Sequence, residues 1–293
     1  MTVAVLASVA AGLCFALAGV LQQRAASAMP PETGLSWRLL RGLARQPRWV
    51  CGIALAVVAY GFQALALAFG PLSLVQPLIV CELVFAVPLS AHLSHVRLGP
   101  REWGGTCAVV VGLAAALATA RPGGGDPMTD RMVPWLAAVG GVTAVVAGAL
   151  AARTWVTGVR RASLVALAGG TVMGFQSVLL DTTVARMAHG FGAVVSGWQT
   201  YALVAASAGG LLLIQTAFQE GPLAATMTVI DVTEPVVAVV VGTTLFGETL
   251  RVDGWATALT VLGVGTALYG IVSLDTSPTV AALHRREQAR QHP

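Results

Sequence analysis

Nine stretches of this chain are long and apolar enough to cross a bilayer, and that feature decides what it can fold into. They fall at about 3–21, 49–69, 72–94, 103–120, 132–152, 162–180, 192–217, 223–246 and 254–273. A spanning helix needs about 20 mostly apolar residues, because hydrocarbon offers its backbone no other hydrogen-bond partners. Of the 293 residues 56% are hydrophobic and only 10% charged, too few charges to cover a soluble surface. The expected fold class is therefore an all-α polytopic membrane protein, multi-pass in a cell (inner or plasma) membrane.

The same composition closes several functional classes. All 17 basic residues are arginine, so the lysines of P-loops, kinases and Schiff-base enzymes are missing. No HExxH zinc motif and no GxSxG nucleophile elbow occurs. An enzyme is not expected, nor a cofactor, nor an ATPase subunit as partner. The net charge of +4 is scattered over short loops, which argues against nucleic acid. Cys14, Cys51, Cys81 and Cys107 sit within apolar runs, without a CxxC pair, and read as free thiols. The first thirty residues imitate a secretory signal, but nothing before Arg24 is charged, so the run 3–21 is expected to stay as a first span.

Arginine placement orients the spans. With the N-terminus outside and the C-terminus inside, segments 24–48, 95–102, 153–161 and the tail put thirteen arginines inside. Only Arg121, Arg131, Arg186 and Arg251 remain outside. Trp49, Trp103, Trp135, Trp155 and Trp255 fall near span ends, where indoles favour the interface. In the loop 24–48, Arg38, Arg41, Arg45 and Arg48 alternate with Leu35, Leu39 and Leu43, the pattern of an amphipathic helix on the inner leaflet.

Shifting the sequence by 152 residues lays Val80–Trp103 over Val232–Trp255 with 8 identities in 24 positions. Glu82/Glu234 and Trp103/Trp255 are among them, and Gln63/Gln215 fits the same offset. Helix 3 and its partner, helix 8, would cross in opposite senses, so the halves read as inverted repeats of four and five helices around a central cavity. Residues 1–120 form the first repeat, 121–131 an outer Gly/Pro linker, 132–274 the second repeat, and 275–293 a disordered cytoplasmic tail. Helix 5 has no partner, as a ten-helix ancestor that lost its first helix would leave it.

The stretch Trp49–Pro77 carries Gln63, Ala64, Ala68-Phe69-Gly70-Pro71 and Leu74-Val75-Gln76-Pro77. With Ile214-Gln215-Thr216-Ala217-Phe218 and Leu245-Phe246-Gly247-Glu248, it resembles the drug/metabolite transporter (EamA-like) superfamily. The nearest likeness is to its NIPA-type branch of magnesium transporters. The resemblance implies transport. The chain departs from that branch in having Tyr60 near the place of an acidic residue, and Gln63 and Gln215 in place of asparagine.

Three carboxylates lie inside spans: Glu82, Asp231 and Glu234. A charge at mid-bilayer costs about 2.5–3.5 kcal/mol on insertion scales. Two such acids close together in low dielectric do not easily both ionise, which suits either proton coupling or a cation site. Each acid also has a plain structural reading, protonated or hydrogen-bonded between helices. Pro77 and Pro88 bracket Glu82, and Pro235 follows Glu234; prolines there free backbone carbonyls toward a cavity. Gln63, Gln215, Gln176 and Tyr60 are candidate solute contacts, with helix-to-helix ties as the alternative for the amides. Gln22 and Gln23 end helix 1. Trp198 and Tyr201 are candidate aromatic liners, His92 and His95 inner-end residues, and Asp181 and His189 outer-edge residues.

The functional expectation is a secondary transporter that moves a small metabolite or drug-like solute, outward, by proton-coupled alternating access. The alternative is a NIPA-type divalent-cation transporter with Glu82, Asp231 and Glu234 as oxygen ligands. A monomer or homodimer is compatible with either.

Overall fold

The computed structural model describes residues 1–26, 37–93, 98–121, 123–129, 131–220, 223–251 and 253–275. Twelve α-helices carry the described chain: α1 (Thr2–Ala26), α2 (Trp37–Leu43), α3 (Pro47–Phe69), α4 (Leu72–Ile79), α5 (Glu82–Leu93), α6 (Pro100–Ala120), α7 (Met132–Ala152), α8 (Val159–Met187), α9 (Phe191–Ser196), α10 (Trp198–Glu220), α11 (Leu223–Val241) and α12 (Gly254–Asp275). Among the described residues there is no named strand, only an isolated bridge between Gly123 and Thr249. Eight helices are long and apolar enough to span a membrane, so the chain is a multi-pass membrane protein.

The start signals are local. Pro47 and Pro100 open α3 and α6, where a missing N–H costs nothing. Glu102 folds back so that its carboxylate accepts the Gly99 N–H at 2.7 Å, satisfying an orphan donor ahead of α6. Past α11 the helix widens into a π turn at Gly242–Phe246 and stops at Gly247, whose φ of 69° is left-handed.

The stretch 72–94, expected to be one span, is instead two short helices. The ladder breaks at Val80–Cys81, where Cys81 donates to the Leu78 carbonyl and Val84 to the Cys81 carbonyl, three residues back rather than four. The break lies between Pro77 and Pro88, neither of which has an N–H to give the ladder. Glu82 is thereby the first residue of α5, rather than the middle of a long helix. The stretch 192–217 likewise divides, at Gly197, into α9 and α10.

Neighbouring helices fall into corresponding sets. α1 packs along α3, and α8 along α10; α1 also packs on α4 and α5, and α8 on α11. α5 meets α6 as α11 meets α12, and α3 touches α8 as α1 touches α10. α6 and α12 run antiparallel at backbone distance: a Cβ on Gly112 would stand 2.6 Å from the Gly263 carbonyl oxygen, and one on Gly270 2.6 Å from that of Gly105. Close backbone approach through small residues is how helices associate in lipid, where apolar burial gives no drive. α8 is the axis of the bundle and is mostly buried, whereas α7 is mostly exposed and shows its apolar side chains outward.

The bundle has two distinguishable ends. At the linker end, Leu72, Gly123–Thr129, Trp135, Trp198 and Phe246–Thr249 interlock. At the arginine end, Ala25, Leu43 and Trp49 form a small core, and Glu220 bridges Arg153 at 3.1 Å and Arg161 at 3.2 Å. Leu43 of α2 is fully buried in that core, so this residue of the amphipathic segment packs on protein rather than on lipid. Leu35 lies outside the described residues, as does the tail beyond 275. Of the five tryptophans expected near the interface, two are covered by protein: Trp49 is buried at the arginine end, and Trp135 is 3% exposed with its indole N–H on the Thr129 carbonyl. Trp103, Trp155 and Trp255 are exposed.

Candidate functional site

The longest packed core lies toward the linker end, where Ala7, Ala11, Ala66, Val75, Val178, Leu179, Val241 and Phe246 close the space between α1, α3, α4, α8 and α11. Beside it, α3 carries Tyr60, whose ring meets Phe15 of α1 edge to face at 5.0 Å. Tyr60 lies within electrostatic reach of both Glu234 on α11 and Glu82 on α5. Three residues expected on different spans thus come within electrostatic reach of one another, Tyr60 to each glutamate.

Two glycines let the surrounding helices come that close. A Cβ on Gly12 of α1 would stand 3.1 Å from the Ile79 carbonyl oxygen and 3.3 Å from the Glu82 nitrogen. On Gly174 of α8 it would stand 2.5 Å from the Glu234 carbonyl oxygen. So α1 backs the turn that carries Glu82, and α8 backs the turn that carries Glu234. Pro235 follows directly and lies inside α11. Every described arginine sits in a loop or at a helix end, leaving no fixed cation in the middle of the bundle. The region therefore holds two carboxylates, a phenol and aromatic edges: groups that can take up and release protons or bind a solute through hydrogen bonds.

Asp231 is buried one turn before Glu234. Among the described residues no three His, Cys, Asp or Glu gather as metal ligands, so Glu82, Asp231 and Glu234 do not form one three-carboxylate cluster. The amides are placed as ties. Gln63 donates from Nε2 to the Ser177 Oγ at 3.2 Å, joining α3 to α8. Gln215 donates from Nε2 to the Gln22 Oε1 at 3.2 Å, joining α10 to α1. Gln176 is buried in α8 with no protein partner for its Oε1, and on α4 the Gln76 Nε2 and Ser73 Oγ are buried without partners.

The remaining candidates lie outside this centre. Pro77 and Pro88 flank the helix break. Tyr201 is exposed, its hydroxyl donating to the Val195 carbonyl at 2.9 Å, and Trp198 packs edge to face on Trp135 at 5.1 Å. His92 and His189 are exposed at helix ends, while His95 and the Gln23 side chain lie outside the described residues. Asp181 lies toward the linker end of α8, where it is buried and within electrostatic reach of Glu248. Glu248 itself accepts the Leu72 N–H at 2.7 Å and the Ser73 N–H at 3.0 Å, capping α4 from the other half of the chain. The sequence marks Glu248 only as a helix-end residue and Gly12 only as a small residue that allows close packing, and Ser177 and Phe15 carry no signal of their roles. Two clefts among the described residues, of about 430 and 400 Å³, lie in surface loops around Trp155–Arg160 and Arg131–Pro134, away from the Tyr60–Glu82–Glu234 region.

No family model matches the chain, and no solved structure matches it. It is similar to an uncharacterized protein of Corynebacterium glutamicum, 29% identical over 286 residues, covering 97% of this chain and 98% of that protein. The match spans both halves of the chain.

Proposed function

We propose that this chain is a secondary transporter of small organic solutes, working by proton-coupled alternating access in a cell membrane. The observation that carries the reading is that Tyr60 packs on α1 at Phe15 while α1 backs Glu82 and α8 backs Glu234, with Tyr60 within electrostatic reach of both glutamates. The two glutamates stand at the same offset in the two halves of the sequence, each backed by a glycine of a neighbouring helix. The corresponding helix neighbours support an inverted-repeat architecture, in which α1, α3, α4–α5 and α6 answer to α8, α10, α11 and α12. On this reading α4 and α5 together make the ninth crossing. The arginine end faces inward by the positive-inside rule, with the N-terminus out and the C-terminus in. The drug/metabolite transporter superfamily is the family this proposal points to.

Glu82 and Glu234 would exchange protons, and Tyr60 would offer a hydroxyl to the solute. With the linker-end core packed, the described conformation is closed at that end. The divalent-cation alternative would rest on Glu82, Asp231 and Glu234, which do not gather as one three-carboxylate site among the described residues; magnesium held by one or two of them with water remains its form.

The test uses everted membrane vesicles holding a proton gradient, reported by a fluorescent weak base. A panel of amino acids, sugars, amines and organic acids is added, and magnesium chloride separately. Gradient collapse on adding an organic solute, lost in Glu82→Gln and in Glu234→Gln, is the expected result. Collapse on magnesium alone would transfer the site to the cation reading. No response from folded wild type to any of them would overturn the proposal.

A further inference from the structure

Of the side-chain bonds that cross between the halves, two have matching places in the fold. Gln63 on α3 reaches Ser177 on α8, and Gln215 on α10 reaches Gln22 on α1. Exchanging the halves turns the α3–α8 tie into the α10–α1 tie, amide donor onto amide donor. The two ties lie toward opposite ends of the bundle. Gln63 is two turns from the end of α3 that enters Gly70, at the linker end, whereas Gln215 is within two turns of Glu220, at the arginine end.

All four side chains sit among apolar helices, and the bonds are ones that can be exchanged. Gln215 is fully buried, and its Oε1 has no partner, so its amide is half satisfied. A buried amide left half satisfied gains little from staying as it is. Hydrogen bonds between membrane helices are worth little individually, because the separated helices find other partners. Bonds of that strength suit a joint that must open and close in each cycle.

The ends are not equally tied. At the linker end, Glu248 of the second half also grips the Leu72 and Ser73 N–H groups of the first, and the Asp126 N–H of the linker donates to the Phe246 carbonyl. At the arginine end, the ion pairs of Glu220 with Arg153 and Arg161 stay within the second half.

We propose that Gln63–Ser177 and Gln215–Gln22 are the two gate clasps of a rocking cycle, one at each end, with Glu248 a second lock on the linker end. The inference deepens the transporter reading and rests on it for its meaning. The clasps themselves are tested without any solute. In the full chain in nanodiscs, with Cys14, Cys51, Cys81 and Cys107 replaced by alanine, spin labels are placed as Phe69→Cys with Met187→Cys. A second pair is Val50→Cys with Val159→Cys. The pairs measure the α3–α8 separation at the linker end and at the arginine end, and all four positions are exposed.

Gln215→Leu is expected to raise the long-distance population of the second pair by roughly threefold to about eighteenfold, leaving the first pair unchanged. Gln63→Leu should do the reverse, by less, since Glu248 still holds; adding Glu248→Gln should bring the effect up to that of Gln215→Leu. Should a glutamine variant fail to fold, Ser177→Ala and Gln22→Met break the same bonds from the other side. Unchanged distributions in all folded variants, or equal widening at both ends, would overturn the clasps. If distances shift as expected while no solute moves protons, the clasps stand and the transporter reading falls. Flux with unmoved distances does the opposite.

Discussion

The two glutamate-bearing segments, equivalent by sequence offset, are built differently. Glu82 opens α5 after a break in the helix, with i−3 bonds on either side of it. Glu234 lies within α11, which carries Pro235 without interruption and changes geometry only at its π turn, eight residues on. The flanking glycines register the difference. α8 meets the α11 backbone so closely at Gly174 that no added carbon fits, while α1 leaves a few tenths of an ångström more at Gly12. A pair of equivalent acids thus has one member on a jointed element and one on a rod held against the bundle axis. For a transporter, the jointed acid is the one that can move relative to its surroundings, and the rod-borne acid is the fixed reference.

The sharpest way to break that comparison is to make the same substitution on both sides. Gly174→Ala forces a methyl against the Glu234 carbonyl oxygen and against the Val237 Cβ, 2.8 Å away. Neither atom can step aside without moving α11, and overpacking of this kind costs about 3 kcal/mol. Gly12→Ala presses on a turn that has already left the ladder, and the gain in helix propensity offsets the crowding, so the net change should stay within about 1 kcal/mol. Thermal unfolding of the detergent-purified variants reads both. Equal losses would mean that the α4–α5 joint is as rigid as α11.

A smaller effect sharpens the reason why α4 stays in place despite the break behind it. Glu248 supplies two charge-assisted bonds to the first N–H groups of α4, which would otherwise be orphaned in a buried position. Glu248→Gln keeps one acceptor and loses the charge, and should lower stability by about 1.5 kcal/mol. Glu220→Gln, at the opposite end, removes two partly exposed ion pairs and should cost less than 1 kcal/mol. Reversal of that order in the same unfolding measurement would remove Glu248 from the account of how α4 is anchored.

Much of this was legible in the chain because hydrophobic length is a local property. Eight of nine apolar stretches became helices long enough to span, and Pro47 and Pro100 marked two of their starts. Glu82 and Glu234 stood out because an acid in an apolar run costs energy wherever the run is buried. The break at Val80–Cys81 was legible only in part: Pro77 and Pro88 bracket it, but the apolar run continues through it, and the seating of Gly12 against the joint has no local signal. Trp135 looked interfacial by its place at a span start, but it is enclosed by Phe175, Trp198 and Phe246, which come from three other parts of the chain. The role of Glu248 depends on an N-terminus 176 residues away, which no local pattern announces.

The smallest expected change in stability is at Gln76, and it asks whether α4 does more than support Glu82. Gln76 is buried, its Nε2 has no protein partner, and Ser73 on the same short helix leaves its Oγ equally unanswered. Gln63, by contrast, spends its amide on Ser177. Removing a bonded buried amide should cost up to about 1.7 kcal/mol between membrane helices, whereas removing an unbonded one for a side chain of similar size should be close to neutral or stabilising. Gln76→Leu is therefore expected to unfold at or slightly above the wild-type temperature, and Gln63→Leu below it. If the unanswered groups of α4 face the solute in another conformation, Gln76→Leu should at the same time cut solute-dependent proton movement at least tenfold. A variant of unchanged stability and unchanged transport would instead make α4 a support only, and leave the chemistry to Tyr60, Glu82 and Glu234.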